Sequence, residues 1–426
     1  MPAVRYSMSW PGFSQSNPLR VLRFSDYKFI WSSEALSLWA IEMEIIVLAI
    51  FVLRDTDSPL LVGLIGALKF AGTLLGPLYG VVVDRFDRRI LQIWVRTLNV
   101  LLAATLATLV LSDSLELWHV YLIVALGSVF RMLDLVLVQT LTADSVPKES
   151  LHSAIGLSRS TLDGARVMGA IIGGTILETL GLDVAYSAIT VLYLFATIAA
   201  FKVDRTHTPG SLKTQSESVF AGIKQGLTHI RASAHLPGLI YFSFLIEFSA
   251  FPLVNGLMTV VGDEFYSLGG TGIGLLAGIA SGGALLGALF VSSRTHIASP
   301  TRVLVIGSII WHLVMLVLTI DMPISVFGLL LFFWGFAGGA SFVAMIVGLL
   351  RSTPEDLRGR VMGIRSLGIY GLPLGLLLAG WLAETFSART MIGSLGAIGI
   401  TASILAALLW PALLRSTETK ESIASS

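Results

Sequence analysis

The sequence predicts an all-α membrane protein in which twelve transmembrane helices form two pseudo-repeated six-helix bundles, and three observations carry that prediction. First, 54% of the 426 residues are hydrophobic and 13% charged, against roughly 25% charged in a soluble domain; mean hydropathy is +0.82. Second, the chain holds twelve apolar stretches near the ~20 residues that cross a bilayer as a helix, at 29-53, 60-83, 90-111, 117-141, 154-178, 183-201, 237-260, 270-292, 302-320, 323-349, 361-384 and 389-411. Third, the chain repeats itself. At one constant offset Leu151 meets Leu357, Arg159 meets Arg365, Ser160 meets Ser366, Gly169 meets Gly375, Gly174 meets Gly380, Glu178 meets Glu384 and Thr179 meets Thr385. One residue further, Gly63, Gly76 and Gly80 meet Gly270, Gly283 and Gly287. Such self-similarity marks duplicated units, and the roughly ten-residue alternation of a membrane barrel is absent.

The repeat divides the chain into an N-terminal segment 1-28, a first half 29-201, a polar linker 202-235, a second half 236-411 and a tail 412-426. Within the linker, Ser218 to Ala232 is expected to form a short amphipathic helix on the membrane surface. Basic residues favour the cytoplasmic side. The loops on the terminus side hold, among others, Arg20, Arg23, Lys28, Lys148, Lys202, Arg302, Arg351 and Arg415, whereas the other side has only Arg54 and Arg389. Both termini are therefore expected in the cytoplasm, with the first helix serving as an uncleaved insertion signal. The net charge of +1 is spread over all these loops, so no nucleic-acid partner is implied. Zero cysteines exclude disulfides and thiol-ligated metals. No metal or cofactor is expected, and there is no H-E-x-x-H or G-x-S-x-G to suggest an enzyme.

In chain order, the first segment carries Glu42 and Glu44, the second Lys69, the fourth Arg131 and Asp134, and the fifth Asp163 and Arg166. Charge inside a membrane is costly and by default a functional hypothesis. By helical rise, Glu44 and Lys69 lie at one level, toward the side opposite the termini. Arg131 and Arg166 fall near the midplane, with Asp134 and Asp163 one turn closer to the termini. In each helix the acid and base are three apart on one face, which also suits a self-neutralising ladder. Four carboxylates (Glu42, Glu44, Asp134, Asp163) against three bases (Lys69, Arg131, Arg166) leave one acid unpaired. Desolvation opposes the charged form of such an acid, as a proton carrier requires. Glu44 lies on the stripe of Ser33 and Ser37, while Glu42 points the opposite way, toward a neighbouring helix with Lys69 as partner.

The second half has only Glu247 in the seventh segment and His312 in the ninth. Its seventh and tenth segments instead offer Phe244, Phe248, Phe251, Phe333 and Trp334. These read either as lipid-facing aromatics or as the wall for a bulky, partly apolar substrate, cationic if the rings bind it.

Between the second and third segments stands Gly80-Val81-Val82-Val83-Asp84-Arg85-Phe86-Asp87-Arg88-Arg89. It resembles the G-x-x-x-D-R-x-G-R-[RK] signature of the major facilitator superfamily, with Asp87 in place of the second glycine. In the fifth segment, Gly169-Ala170-Ile171-Ile172-Gly173-Gly174 resembles the family's antiporter signature G-P-x-x-G-G with Ala170 for proline, or else is glycine packing. The loop Thr353-Pro354-Glu355-Asp356-Leu357-Arg358-Gly359-Arg360-Val361-Met362 is similar to that of the branch containing enterobactin exporters and macrolide efflux proteins. The resemblance implies two halves rocking about a central site, with the first helix, and so Glu44, bordering the cavity. It implies an inner gate in which Asp84 faces the N-terminus of the eleventh helix and Arg85, Arg88 or Arg89 reaches Asp144; topogenic charge is the other reading of these arginines. It further implies a monomeric, proton-coupled antiporter of a bacterial inner membrane that exports a drug, macrolide or siderophore-like molecule. A proton-coupled metabolite importer is the alternative, and a membrane sensor or enzyme a remote one.

Overall fold

The computed structural model describes residues 18–203, 219–294 and 299–414. The expected N-terminal segment, linker and tail fall partly outside them. The first half contains α1 (Ser25–Thr56), α2 (Pro59–Leu68), α3 (Gly76–Arg85), α4 (Arg88–Leu111), α5 (Leu117–Ser145), α6 (Leu151–Leu180) and α7 (Leu182–Phe201). After α8 (Val219–Ala232), the second half contains α9 (Leu236–Ser249), α10 (Met258–Tyr266), α11 (Gly270–Ser292), α12 (Pro300–Val317), α13 (Ile324–Arg351), α14 (Arg358–Ser366), α15 (Gly371–Thr385) and α16 (Ala388–Leu409). No strand occurs among the described residues, as the all-helical reading requires.

Among the described residues, ten helical runs are long and apolar enough to cross a membrane. The other two expected spans differ for visible reasons. The second is broken into α2, a 3-10 turn at Ala71–Leu75, and α3. The fifth, α6, is a continuous helix of 30 residues, but Arg159, Asp163 and Arg166 dilute its hydropathy. Local chemistry sets the helix starts. The Ser58 side chain accepts from the Leu61 amide at 3.2 Å with Pro59 following, and Ser387 accepts from Thr390 at 3.1 Å, each satisfying an otherwise orphaned donor. Between α9 and α10 the helix breaks at Asn255 and Gly256, where φ is +137°, a conformation that only glycine adopts without strain.

In the first half α1 packs against α6 and α7; in the second, α13 packs against α11 and α12. The halves meet along two seams, α6 on α11 and α2 on α15. Along the first, a Cβ at Gly174 would strike the Gly270 carbonyl, one at Gly274 the Ala170 carbonyl, and one at Gly278 the Val167 carbonyl at 3.2 Å. One turn nearer the termini the same stripes reach Gly164 and Gly282, where an added Cβ would meet nothing within 4 Å. The second seam behaves alike. Gly63 lies against the Leu376 carbonyl, Gly380 against Pro59 and Leu60, and Tyr370 donates to the Thr73 carbonyl at 2.9 Å; Gly76 and Gly363 face open space. The halves are thus shut on the side away from the termini and parted on the terminus side.

Candidate functional site

The buried charges of the first half form two groups on opposite faces of α1. On one face, Glu44 lines a cavity of about 50 Å³ with Lys69, Asn99, Ser128, Arg131 and Tyr193. Tyr193 donates to the Glu44 carboxylate at 3.3 Å, and Lys69 and Arg131 act on it electrostatically. The Lys69 ammonium has no hydrogen-bond partner among the described residues, and the cavity, though largely apolar in its walls, brings several polar groups together with room for water. Arg131 also acts on Asp134, whose Oδ2 is 3.1 Å from Nη1 of Arg96. Asp134 and Arg96 act in turn on Glu34, which accepts from Ser158 Oγ at 2.7 Å. A line of charge therefore runs through the interior of the first half, from Glu34 to Glu44.

Several expectations need correction here. Glu44 borders a cavity lined by first-half residues, not the space between the halves. Glu42 pairs with Arg166 at 3.6 Å rather than with Lys69, because its face of α1 packs on α6; a Cβ added at Gly169 of α6 would lie only 2.9 Å from Glu42 Cβ. The ladders are not made within each helix at three residues' spacing. Asp134 takes Arg96 from α4, and Asp163 takes Arg159 at 3.2 Å, four residues away. Glu34, Arg96 and Arg159 were missed although each stands as a charge in an apolar segment. With them the acids Glu34, Glu42, Glu44, Asp134 and Asp163 face the bases Lys69, Arg96, Arg131, Arg159 and Arg166, so the tally leaves no acid over.

The glycine motif divides its work. Gly169 and Gly173 press on α1, where an added Cβ would meet Glu42 and Met43, whereas Gly174 presses on α11 of the other half.

In the second half, Glu247 is buried at 9% exposure; Arg365 of the same half acts on it, and so does Arg166 from across the gap between the halves. Arg365, overlooked as an intramembrane charge, also lies over the Phe342 ring at 5.1 Å. Phe244, 40% exposed, stacks on Phe248 with ring centroids 5.9 Å apart, so these two remain candidates for a wall near Glu247 on α9. Trp334 does not: it is buried against Trp311 at 5.4 Å. Phe251 likewise packs on Trp311 and Phe342 inside the half. Phe333 continues the exposed stripe of Val326 and Leu329 along α13; since that stripe reaches the closed side, it faces lipid. His312 is fully buried, bonded through Nδ1 to the Ser308 carbonyl at 2.7 Å and through Nε2 to Ser249 at 2.8 Å.

At the hinge loop, Arg88 is the arginine that reaches Asp144, at 2.5 Å, while Arg89 donates to the Phe201 carbonyl at 2.8 Å. The Asp84 side chain lies outside the described residues; Gly80 and Arg85 belong to α3. Asp87, where the signature has glycine, is the N-cap of α4 and accepts from the Ile90 amide at 2.9 Å. Asp87→Ala is expected to cost about 1 kcal/mol, read as a lower midpoint of denaturant unfolding in detergent, with Asp87→Ser close to the parent.

The sequence matches the family described as Transmembrane secretion effector over residues 16–426. It is 22% identical over 269 residues to macrolide efflux protein A of Streptococcus pyogenes, a match covering 61% of this chain and 65%, less than two thirds, of that relative. It is 28% identical over 390 residues to an uncharacterized major-facilitator-type transporter of Sinorhizobium fredii, covering 88% of this chain and 91% of the relative. Among solved structures, a D-xylose–proton symporter superposes with TM-score 0.70 at 14% identity, over 90% of this chain and 97% of that one. An inward-facing bacterial homolog of the human lysosomal transporter Spinster does so with TM-score 0.70 at 12% identity, over 95% and 100%.

Proposed function

The chain belongs to the transmembrane secretion effector family of major facilitator transporters, a membrane transporter and not an enzyme, and from that premise we propose that it is a proton-coupled exporter of a small amphipathic molecule. The observation that carries the proton coupling is the separation of two polar sites. Glu44, with Lys69, Arg131 and Tyr193, lines a cavity within the first half, while Glu42, Arg166, Glu247 and Arg365 gather where the halves part. A proton taken by the first site and a substrate held at the second need not share atoms, so rocking can exchange them.

Export is supported by the family's secretion description and by the macrolide efflux relative; a macrolide, another amphipathic drug or a siderophore-like molecule is the substrate class. The Phe244–Phe248 stack beside Glu247 suits a bulky molecule with an apolar body and a polar or cationic end. The distribution of Lys and Arg supports both termini lying in the cytoplasm; on this reading the chain works as a monomer in a bacterial inner membrane, with the opening facing the cell interior. Asp84, with the Arg88–Asp144 pair, is assigned to the inner gate; such partly exposed pairs contribute about 0–1 kcal/mol and can be broken and remade.

The test is proton movement in inverted membrane vesicles energised to be acid inside. Adding macrolides, lipophilic cations or siderophores in turn is expected to release protons with at least one class, in vesicles holding this chain and not in vesicles lacking it. Substrate leaving the vesicle together with protons would mean symport and would replace the export reading.

A further inference from the structure

Glu178 and Glu384 are equivalent in the internal repeat, each followed by threonine at the end of the fifth span of its half. Neither serves its own half. The Glu178 carboxylate, from α6, accepts from the Thr271 amide at 2.7 Å and so caps the first turn of α11. The N-cap residue of α11 is Gly269, which has no side chain to do this, and a Cβ there would collide with the Glu178 carboxylate. The Glu384 carboxylate, from α15, accepts from the Leu60 amide at 3.0 Å and from the Ser58 hydroxyl, completing the cap of α2. Each contact joins a carboxylate to the positive N-terminal end of a helix, a favourable arrangement. Each also spans the two halves at the closed end of a seam.

We propose that Glu178 and Glu384 are a matched pair of gating residues, cross-half clasps that hold the side away from the termini shut and must both release for it to open. The logic is geometric. Opening that side separates α6 from α11 and α2 from α15, which strips both helix ends of their cross-half carboxylates at once; closing it restores them. The clasps therefore bias the balance between the two faces of the transporter without touching substrate. The proposal rests on the two halves moving against each other, and on neither the proton site nor the direction of transport.

The chain has no cysteine, so a single reporter can be added at Gly164, which lies on the α6 stripe facing α11 where a Cβ meets open space. A membrane-impermeant maleimide is applied to right-side-out and to inverted vesicles. Gly164→Cys alone is expected to label only from the terminus side. Adding Glu178→Gln and Glu384→Gln together is expected to raise labelling from the opposite side several-fold and to lower it from the terminus side; each alone gives a smaller shift. Thr179→Ala, whose hydroxyl bonds only within its own helix, is expected to label like the parent. Unchanged labelling in the double variant overturns the proposal, and so does a rise from both sides, which signals a loosened fold instead of a shifted gate.

Discussion

Glu44→Gln is expected to abolish substrate-driven proton release from inverted vesicles while leaving substrate binding intact. Gln keeps the shape and can still accept from the Tyr193 hydroxyl, now 3.3 Å from the carboxylate, but it cannot carry a proton. The proposed substrate site is elsewhere: Glu42, Arg166 and Glu247 lie on the other face of α1 or in the second half. Loss of coupling with retained binding, measured by tryptophan quenching or a radiolabelled ligand, identifies Glu44 as the carrier. Release that persists undiminished removes it from that role, and Asp134 becomes the acid to test. Parallel loss of binding would mean that the two sites are one, which contradicts their separation.

Asp134→Leu is expected to be the most damaging single change to the fold. It leaves the Arg96 guanidinium, 1% exposed, without the carboxylate 3.1 Å away, and removing one partner of a buried pair costs about 3–5 kcal/mol. Reduced yield and a large fall in thermal stability in detergent are the readouts. Restoring packing without charge reverses much of the loss, because replacing a buried pair by apolar residues of similar volume is often near neutral. Arg96→Met with Asp134→Leu is therefore expected to recover stability without recovering transport if Asp134 belongs to the proton path. A double variant as unstable as the single one would show that Glu34, which Arg96 also serves, depends on that arginine for folding.

Composition and segment length were enough to reveal the helical membrane architecture, because burial in lipid forces long apolar runs. The duplication was equally legible: Glu178 and Glu384 declared themselves as equivalent before either had a partner. The pairing of charges was not legible. Spacing along one helix can say that Arg131 and Asp134 share a face, but the choice between Arg131 and Arg96 depends on how α4 leans on α5. Glu42 likewise takes Arg166 because Gly169 lets α6 approach α1, a close contact that no periodicity encodes. The assignment of Trp334 and Phe333 to a cavity failed for a related reason. An aromatic on a membrane helix looks the same in sequence whether it meets substrate, lipid or another ring, as Trp334 does with Trp311.

The matched acids and bases inside the first half carry an electrical consequence. Glu34, Glu42, Glu44, Asp134 and Asp163 balance Lys69, Arg96, Arg131, Arg159 and Arg166, so with all of them ionised these side chains sum to zero, and to plus one when a carboxylate takes up a proton. A charge carried across the whole bilayer works against or with about 2.3 kcal/mol per 100 mV. If the proposed exchange carries one proton per substrate, an uncharged substrate leaves one positive charge moved inward each cycle, and the membrane voltage then adds to the pH difference in driving export. For a singly cationic substrate the charges cancel and voltage drops out. Clamping the potential with potassium and valinomycin at fixed pH difference thus reads the charge of the cargo from the response of the transport rate.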